Sequence, residues 1–191
     1  MKSLWVVLGV VGLLILVLVL AGGSYISAKN QMVAKNQNVQ AAFSEIDVNL
    51  QRRADLIPNL VATVKGYANV EESILTAIAN ARAGLMTAKT PDEKLAANDR
   101  LNVALLPLLR MQENYPQLKS NDQFMRLQDE LAGTENRIAV ARRRYNESIR
   151  DYNTFIGQFP NSIWANFAGF HTNNAYFQAS ESSRTAPTVK F

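Results

Sequence analysis

Catalysis needs groups that converge, and the reactive side chains of this chain are few and scattered. There is one histidine, His171, and no cysteine, so a histidine triad must rest on His171 and no thiolate is present to attack, pair or hold a metal. His171 lies among aromatic residues and asparagines with no nucleophile beside it. The sequence holds no H-E-x-x-H, no glycine-rich phosphate loop and no cysteine pair. Carboxylates remain, because helical bundles house metals between facing acids. Glu45, Asp47, Glu130, Glu135 and Glu147 stand near apolar stripes but without a Glu-x-x-His, and Asp55 is placed to pair with neighbouring bases such as Arg52 and Arg53. The densest basic run is Arg142, Arg143 and Arg144. Three consecutive helical residues fan over about 200°, so the run predicts a solvated face with Arg143 and Glu147 paired at i,i+4, not a phosphate site. With 20 basic residues against 16 acidic and a net charge of +4, the mild surplus gives no argument for nucleic acid. The residues therefore predict no enzyme, no cofactor and no small-molecule substrate.

The elements that would position these side chains are helical from the start. Ser3–Gly23 is a nearly unbroken apolar run, and as a helix it is roughly 31 Å long, the thickness of a bilayer's hydrocarbon core. It predicts a transmembrane anchor over residues 1–24, touching lipid through residues 3–23. A cleaved signal peptide is the competing reading, but the run outlasts the usual apolar region of about 7–15 residues and reaches the small residues near Ala21 without a polar break. Lys2 on one side and Lys29 and Lys35 on the other nearly balance, so the positive-inside rule leaves the facing open.

Beyond the anchor, about 165 residues suffice for one domain. Ile26–Gly66 carries Val39, Phe43, Ile46, Leu50, Ala54, Ile57, Val61 and Val64 at alternating steps of three and four, the pattern of one helix face. Pro58 predicts a bend and not a stop, since the stripe continues beyond it. Asn69 and Glu72 read as a capping box opening a second helix to about Met86, and Thr90-Pro91-Asp92-Glu93 opens a third that carries Leu101, Leu105 and Leu108. Ser120-Asn121-Asp122-Gln123 opens the last long helix, with Ser120 as the capping residue and Gln123 three positions on, and its stripe runs from Phe124 to Ile156. The predicted fold class is all-α: an elongated antiparallel four-helix bundle over residues 25–158, coiled-coil-like in its long pair, with one N-terminal transmembrane helix; the alternative is a three-layer rod in which the two middle helices lie end to end against the long pair. Phe159, Trp164, Phe167 and Phe170 in the uncharged segment 159–177 form a candidate membrane or partner surface, with capping of the bundle end as the plain alternative. Residues 178–191, rich in Ser and Thr, are expected to be disordered.

The run Ile46–Ala68, I-D-V-N-L-Q-R-R-A-D-L-I-P-N-L-V-A-T-V-K-G-Y-A, resembles the signature of LemA family proteins. So do Ala81-Arg82, Glu113–Asn121, Phe124–Leu131, Thr134–Arg142, Tyr145-Asn146, Tyr152-Asn153 and Phe159-Pro160. Ala54 departs from it, since relatives commonly carry an aromatic residue there. The resemblance implies a bacterial membrane-anchored helical bundle with no catalytic residues to carry over; some relatives are associated with membrane stress or proteolysis systems and a magnetosome relative with organelle assembly. Asp47, Arg52, Arg53, Asp55, Pro58 and Asn59 on the first helix, with Glu130, Glu135, Asn136, Arg142 and Tyr145 on the last, are the candidate structural or partner-contact residues. The functional expectation is a non-enzymatic, single-pass scaffold or adaptor of the bacterial cell membrane, contacting copies of itself or other membrane proteins. A lipid-organising protein is the alternative.

Overall fold

Nothing between the apolar run and the first amphipathic stripe breaks the helix. In the computed structural model, which describes residues 2–177, α1 spans Lys2–Lys65 without interruption through Gly22 and Gly23. Every described side chain from Leu4 to Leu20 is exposed, and the most apolar window of α1 is buried against nothing in the protein. Length and composition suit that stretch to crossing a membrane. Further along, Ala28, Met32, Val39, Ile46, Leu50, Ala54, Ile57, Leu60 and Val64 are buried, so α1 turns one stripe inward; Leu60, rather than the half-buried Val61, carries it past Pro58.

The other elements are α2 (Glu72–Thr87), α3 (Pro91–Arg110), a 3-10 turn at Met111–Glu113, α4 (Pro116–Lys119), α5 (Asp122–Gly157) and α6 (Asn161–Ala168). The fold is all-α: 86% of the described chain is helical and none of it is strand. The expected tail, 178–191, lies outside the described residues. Two compact units are distinguished, Met1–Gln40 with Glu147–Asn174, and Ala41–Asn146 with Ala175–Phe191; α1 and α5 contribute residues to both.

The second unit is a four-helix arrangement. Arg82 of α2 meets Ala54 of α1 while Leu75 and Lys65 line one groove, so α2 runs antiparallel to α1. Lys94 meets Asp47 and Asn98 meets Arg53, so α3 runs parallel to α1; Glu130 meets Arg52 and Arg144 meets Glu45, so α5 runs antiparallel. The order is up, down, up, down, as short connections favour. Its interior holds Ile46, Leu50, Ile57, Leu60, Ile78, Leu101, Leu108, Leu118, Phe124 and Ile138.

Helix starts agree with the capping chemistry at one place and differ at two. Thr90 caps α3 with a full box: its hydroxyl accepts from the Glu93 N–H (3.2 Å) and the Glu93 carboxylate accepts from the Thr90 N–H (3.1 Å). The expected box at Asn69 does not form. Glu71 is the N-cap of α2, without a side-chain cap bond, and its carboxylate instead accepts from the Ser73 hydroxyl (3.3 Å). Residues 69–71 are spent on the non-helical crossing from α1, so Glu72 arrives at the first helical position and not at N3. At α5 the cap is Asn121, not Ser120: Asn121 Oδ1 accepts from the Phe124 N–H (2.8 Å) while Ser120 closes α4 against the Pro116 carbonyl.

In the first unit Ala28, Met32, Val39, Ile149, Tyr152, Ile156 and Ala165 are buried. Helix α6, not foreseen as a helix, ends on Gly169 at φ 76°, with the Phe170 N–H reaching back to the Ala165 carbonyl (2.9 Å). That left-handed residue is where a side chain would be strained. The extended residues after α6 are held by main-chain bonds. Asn153 pairs through its amide with both backbone groups of Asn173 (2.7 and 2.8 Å), and the Tyr152 hydroxyl donates to the His171 carbonyl (3.0 Å). In the second unit Asn146 grips both backbone groups of Phe177 in the same way (2.8 and 2.9 Å).

The N–H groups of Lys89 and then Thr90 hold the Glu93 carboxyl below its ordinary value. A depressed carboxylate contributes stability above its unfolded value of about 4.3 and loses it as pH falls through the lower folded value. Thr90→Ala is expected to cost about 1 kcal/mol in thermal or denaturant unfolding, and Glu93→Gln to flatten the stability profile below about pH 4.5 relative to the parent chain.

Candidate functional site

Arg53 occupies a core position of α1, between Leu50 and Ile57 on the buried stripe, and is 5% exposed. A guanidinium placed there must find partners from neighbouring helices, because an unpaired buried charge is costly. It finds three. Nη1 donates to Asn98 Oδ1 (2.6 Å) and to the Glu135 carboxylate, and Nη2 donates to Asn102 Oδ1. One side chain thus ties α1 to α3 and α5. Burial pushes the guanidinium below its ordinary value, and the charge of Glu135, followed by that of Asp99, pulls it back. Nε is buried without a hydrogen-bond partner.

The partners on α3 belong to a ladder. Lys94, Asn98 and Asn102 follow at i, i+4 and i+8, and the first of them, nearly buried, pairs with Asp47 of α1. Two further pairs flank the ladder at the surface: Arg52 with Glu130 (2.9 Å) and Arg144 with Glu45 (2.8 Å), all four side chains about half exposed. Arg52 holds the Glu130 carboxyl below its ordinary value by hydrogen bond and charge. Arg144, on the run expected to pair within its own helix, therefore reaches across to α1. An Arg143–Glu147 pair is not among the ion pairs of the described residues.

A second device involves the proline. Pro58 has no N–H to offer the carbonyl four residues back, which is that of Ala54. Arg82 of α2 fills the gap: its Nε donates to the Ala54 carbonyl (2.8 Å), and its Nη2 lies 3.9 Å from Asp55. Ala54 is fully buried.

The residue pattern that defines the LemA family matches residues 42–191. The chain belongs to the LemA family. Among relatives, it is 27% identical over 175 residues to Magnetosome protein MamQ 2 of Paramagnetospirillum magneticum, covering 78% of this chain and 64% of that one. It is 28% identical over 164 residues to Protein LemA of Metamycoplasma hominis, covering 84% and 73%. To Magnetosome protein MamQ of Magnetospirillum gryphiswaldense it is 26% identical over 167 residues, covering 74% and 61%. The chain thus spans less than two thirds of the length of these magnetosome relatives. The LemA match begins inside α1 and takes in the whole polar seam from Asp47 to Arg144.

The remaining candidate residues of this LemA chain are placed as follows. Asp55 is exposed and accepts from Gln51 Nε2 (3.0 Å). Asn59 is exposed, and its carbonyl accepts from the Thr63 hydroxyl. Asn136 is exposed beside Asn49, Arg137 and Arg144. Tyr145 is buried between Phe43 (ring centroids 5.7 Å) and Phe177 (5.1 Å), and Arg142 lies 5.4 Å from the Phe177 ring. Burial raises the Tyr145 hydroxyl above its ordinary value. In the first unit, Trp164 packs edge-on against Tyr25, Phe159 and Phe167 are exposed, and Phe170 is half-buried. Among the described residues no three His, Cys, Asp or Glu side chains stand together as a metal-holding group.

Lys94, Asn98 and Asn102 were not foreseen. Their signal is the spacing: polar residues at i, i+4 and i+8 interleaved with Ala97, Leu101 and Leu105 on the apolar side of α3.

Chemically, this set holds helices and leaves an open cleft of about 360 Å³ beside it. Arg53, Asn102, Gln128 and Glu135 meet Leu105, Leu109 and Leu131 there. Glu135→Ala leaves the Arg53 charge short of its carboxylate and is expected to destabilise by about 2 kcal/mol. Glu130→Ala is expected to cost clearly less, because that pair is exposed and screened; denaturant titration of both variants checks the contrast. Arg82→Ala is expected to cost about 1–3 kcal/mol with Pro58 present. With Pro58→Ala restoring an N–H, the cost should fall, giving a coupling of about 1 kcal/mol in a double-mutant cycle.

Proposed function

We propose that this LemA family chain is a non-enzymatic, membrane-anchored scaffold or adaptor. The observation that carries the reading is α1 itself: over Leu4–Leu20 it is wholly apolar with every described side chain exposed, and it becomes, without a break, the central strut of the polar seam. An apolar surface of that extent is stable in lipid, where a helix satisfies its own backbone. Placed there, the chain is a single-pass protein of the bacterial cell membrane.

The helical unit then presents surface to partners. A groove of about 360 Å³ runs between α1 and α2, lined by Ile57, Pro58, Val61, Leu75, Ile78 and Ala79, with Lys65 and Arg82 at its edges. Apolar lining with a basic rim suits a helical segment of another protein, or of a second copy. The magnetosome relatives support work within an assembled body, and the tie of α1 to α3 and α5 through Arg53 supports a rigid scaffold.

The chain has no cysteine, so a single introduced thiol is a clean probe. Ala79→Cys in native membranes, treated with a short thiol–amine cross-linker, is expected to give a discrete adduct, whereas a control cysteine at Arg143 should not. Carbonate-washed membranes should retain the chain. Recovery in the soluble fraction without detergent, or a strict monomer with no adduct at residue 79, overturns the proposal.

A further inference from the structure

The first unit contains an apolar stripe that the protein does not cover. Ile163 and Phe167 follow at i and i+4 on α6 and are 54% and 79% exposed, and Phe159, in the turn just before the helix, is 82% exposed. Ala165, on the side of α6 opposite Ile163 and Phe167, is buried. Three such side chains in water within nine residues are a liability that soluble proteins seldom carry.

Their place in the unit says what covers them. Helix α6 is fastened to α1 at residues directly beyond the apolar run: Trp164 Nε1 donates to the Ser24 hydroxyl (3.3 Å), and Tyr25 meets Trp164 and Phe167 edge-on at 5.6 and 5.7 Å. Ser24 and Tyr25 are the residues after Gly23, where the span ends. Lys29 lies over the Tyr25 ring at 6.0 Å. A tryptophan, a tyrosine and a lysine at the end of an apolar helix are the side chains that occupy the headgroup level of a membrane, with an apolar body on one side and a polar tip on the other.

Charge agrees. Between Asp151 and Phe177 there is no Asp, Glu, Lys or Arg, so no ion has to leave water when the stripe is covered. The polar residues of α6 are Asn161, Ser162 and Asn166. Interfacial helices that depend on anionic lipid carry Lys and Arg on that face; this one has none.

We propose that α6 is an interfacial helix, with Phe159, Ile163 and Phe167 entering the boundary between headgroups and acyl chains of the bilayer that α1 crosses, and with Trp164 at headgroup level. This rests on the reading of α1 as a membrane anchor. Contact is apolar, so it is independent of lipid charge and of salt. The chain holds the membrane at two places, by a span and by a short helix lying against the surface beside it.

The two tryptophans, Trp5 and Trp164, separate the two claims. The full chain is reconstituted in phosphatidylcholine vesicles carrying bromine either high on the acyl chains or near the bilayer centre. In Trp5→Phe, Trp164 emission is expected to fall about twofold or more with shallow bromine and little with deep bromine, and to do so equally at high salt and without anionic lipid. In Trp164→Phe, quenching of Trp5 reports the anchor. Phe159→Ser with Ile163→Ser and Phe167→Ser should abolish quenching of Trp164 while helical circular dichroism and, in the matching Trp164→Phe background, quenching of Trp5 stay unchanged.

Trp5 quenched and Trp164 not quenched at either depth overturns the inference and leaves the anchor standing. Neither quenched overturns the anchor reading and the inference with it. Trp164 shielded only at high protein-to-lipid ratio, and not by bromine, overturns it in favour of a second copy covering the stripe. Quenching of Trp164 that vanishes in salt or requires anionic lipid overturns the apolar mode of contact.

Discussion

A buried cation is the constraint around which the helical unit is arranged. Arg53 sits where α1 requires an apolar residue, and its guanidinium is tolerable there because Asn98, Asn102 and Glu135 converge on it from two other helices. Two asparagines at i,i+4 on α3 supply carbonyl oxygens, and one carboxylate on α5 supplies the counter-charge. An apolar set of similar volume would pack equally well in many registers. A guanidinium with three fixed acceptors fits one, which is why buried polar groups specify an alignment even where they add little net stability. The surface pairs Arg52–Glu130 and Arg144–Glu45 agree with that alignment, but being half exposed and screened they follow from it rather than impose it.

The proline of α1 illustrates the same economy in backbone terms. Removing one N–H from the middle of a long helix leaves a carbonyl with no donor, and the donor comes from a neighbouring helix as an arginine Nε. Pro58, Ala54 and Arg82 are thus one interaction seen at three places in the sequence. Ala54 itself is fully buried, so without Arg82 its carbonyl would lack a donor in the interior.

Much of the architecture was legible because it rests on long periodic signals. The stripes of α1 and α5 run over many turns, and hydrophobic spacing of that length has no competing reading; the antiparallel order followed from short connections. Shorter signals were less reliable. Asn69 and Asn121 are the same residue type near a helix start, yet only Asn121, directly before Asp122, caps, because the chain needs residues 69–71 to cross from α1 to α2. The short helices α4 and α6 escaped notice, since one or two turns carry too little periodicity to register. The α3 ladder was hidden for a different reason. Lys94, Asn98 and Asn102 look like a solvated face until Asp47 and Arg53 are brought against them, and that is long-range information. Asp47, Arg52, Arg53, Glu130 and Glu135 lie in helix-to-helix pairs, whereas the side chains of Asn59 and Asn136 stand in solvent.

Asn146 and Asn153 each grip an extended residue by its own N–H and C=O, and Tyr152 likewise takes a carbonyl. Amide-to-backbone pairing is blind to what the gripped residue carries beyond its α-carbon. At His171 the tyrosine takes only the carbonyl, so that bond sets no requirement on the side chain. The lone imidazole of the chain, the first place one looks for reactivity, thus belongs to a residue that the helix holds by its backbone.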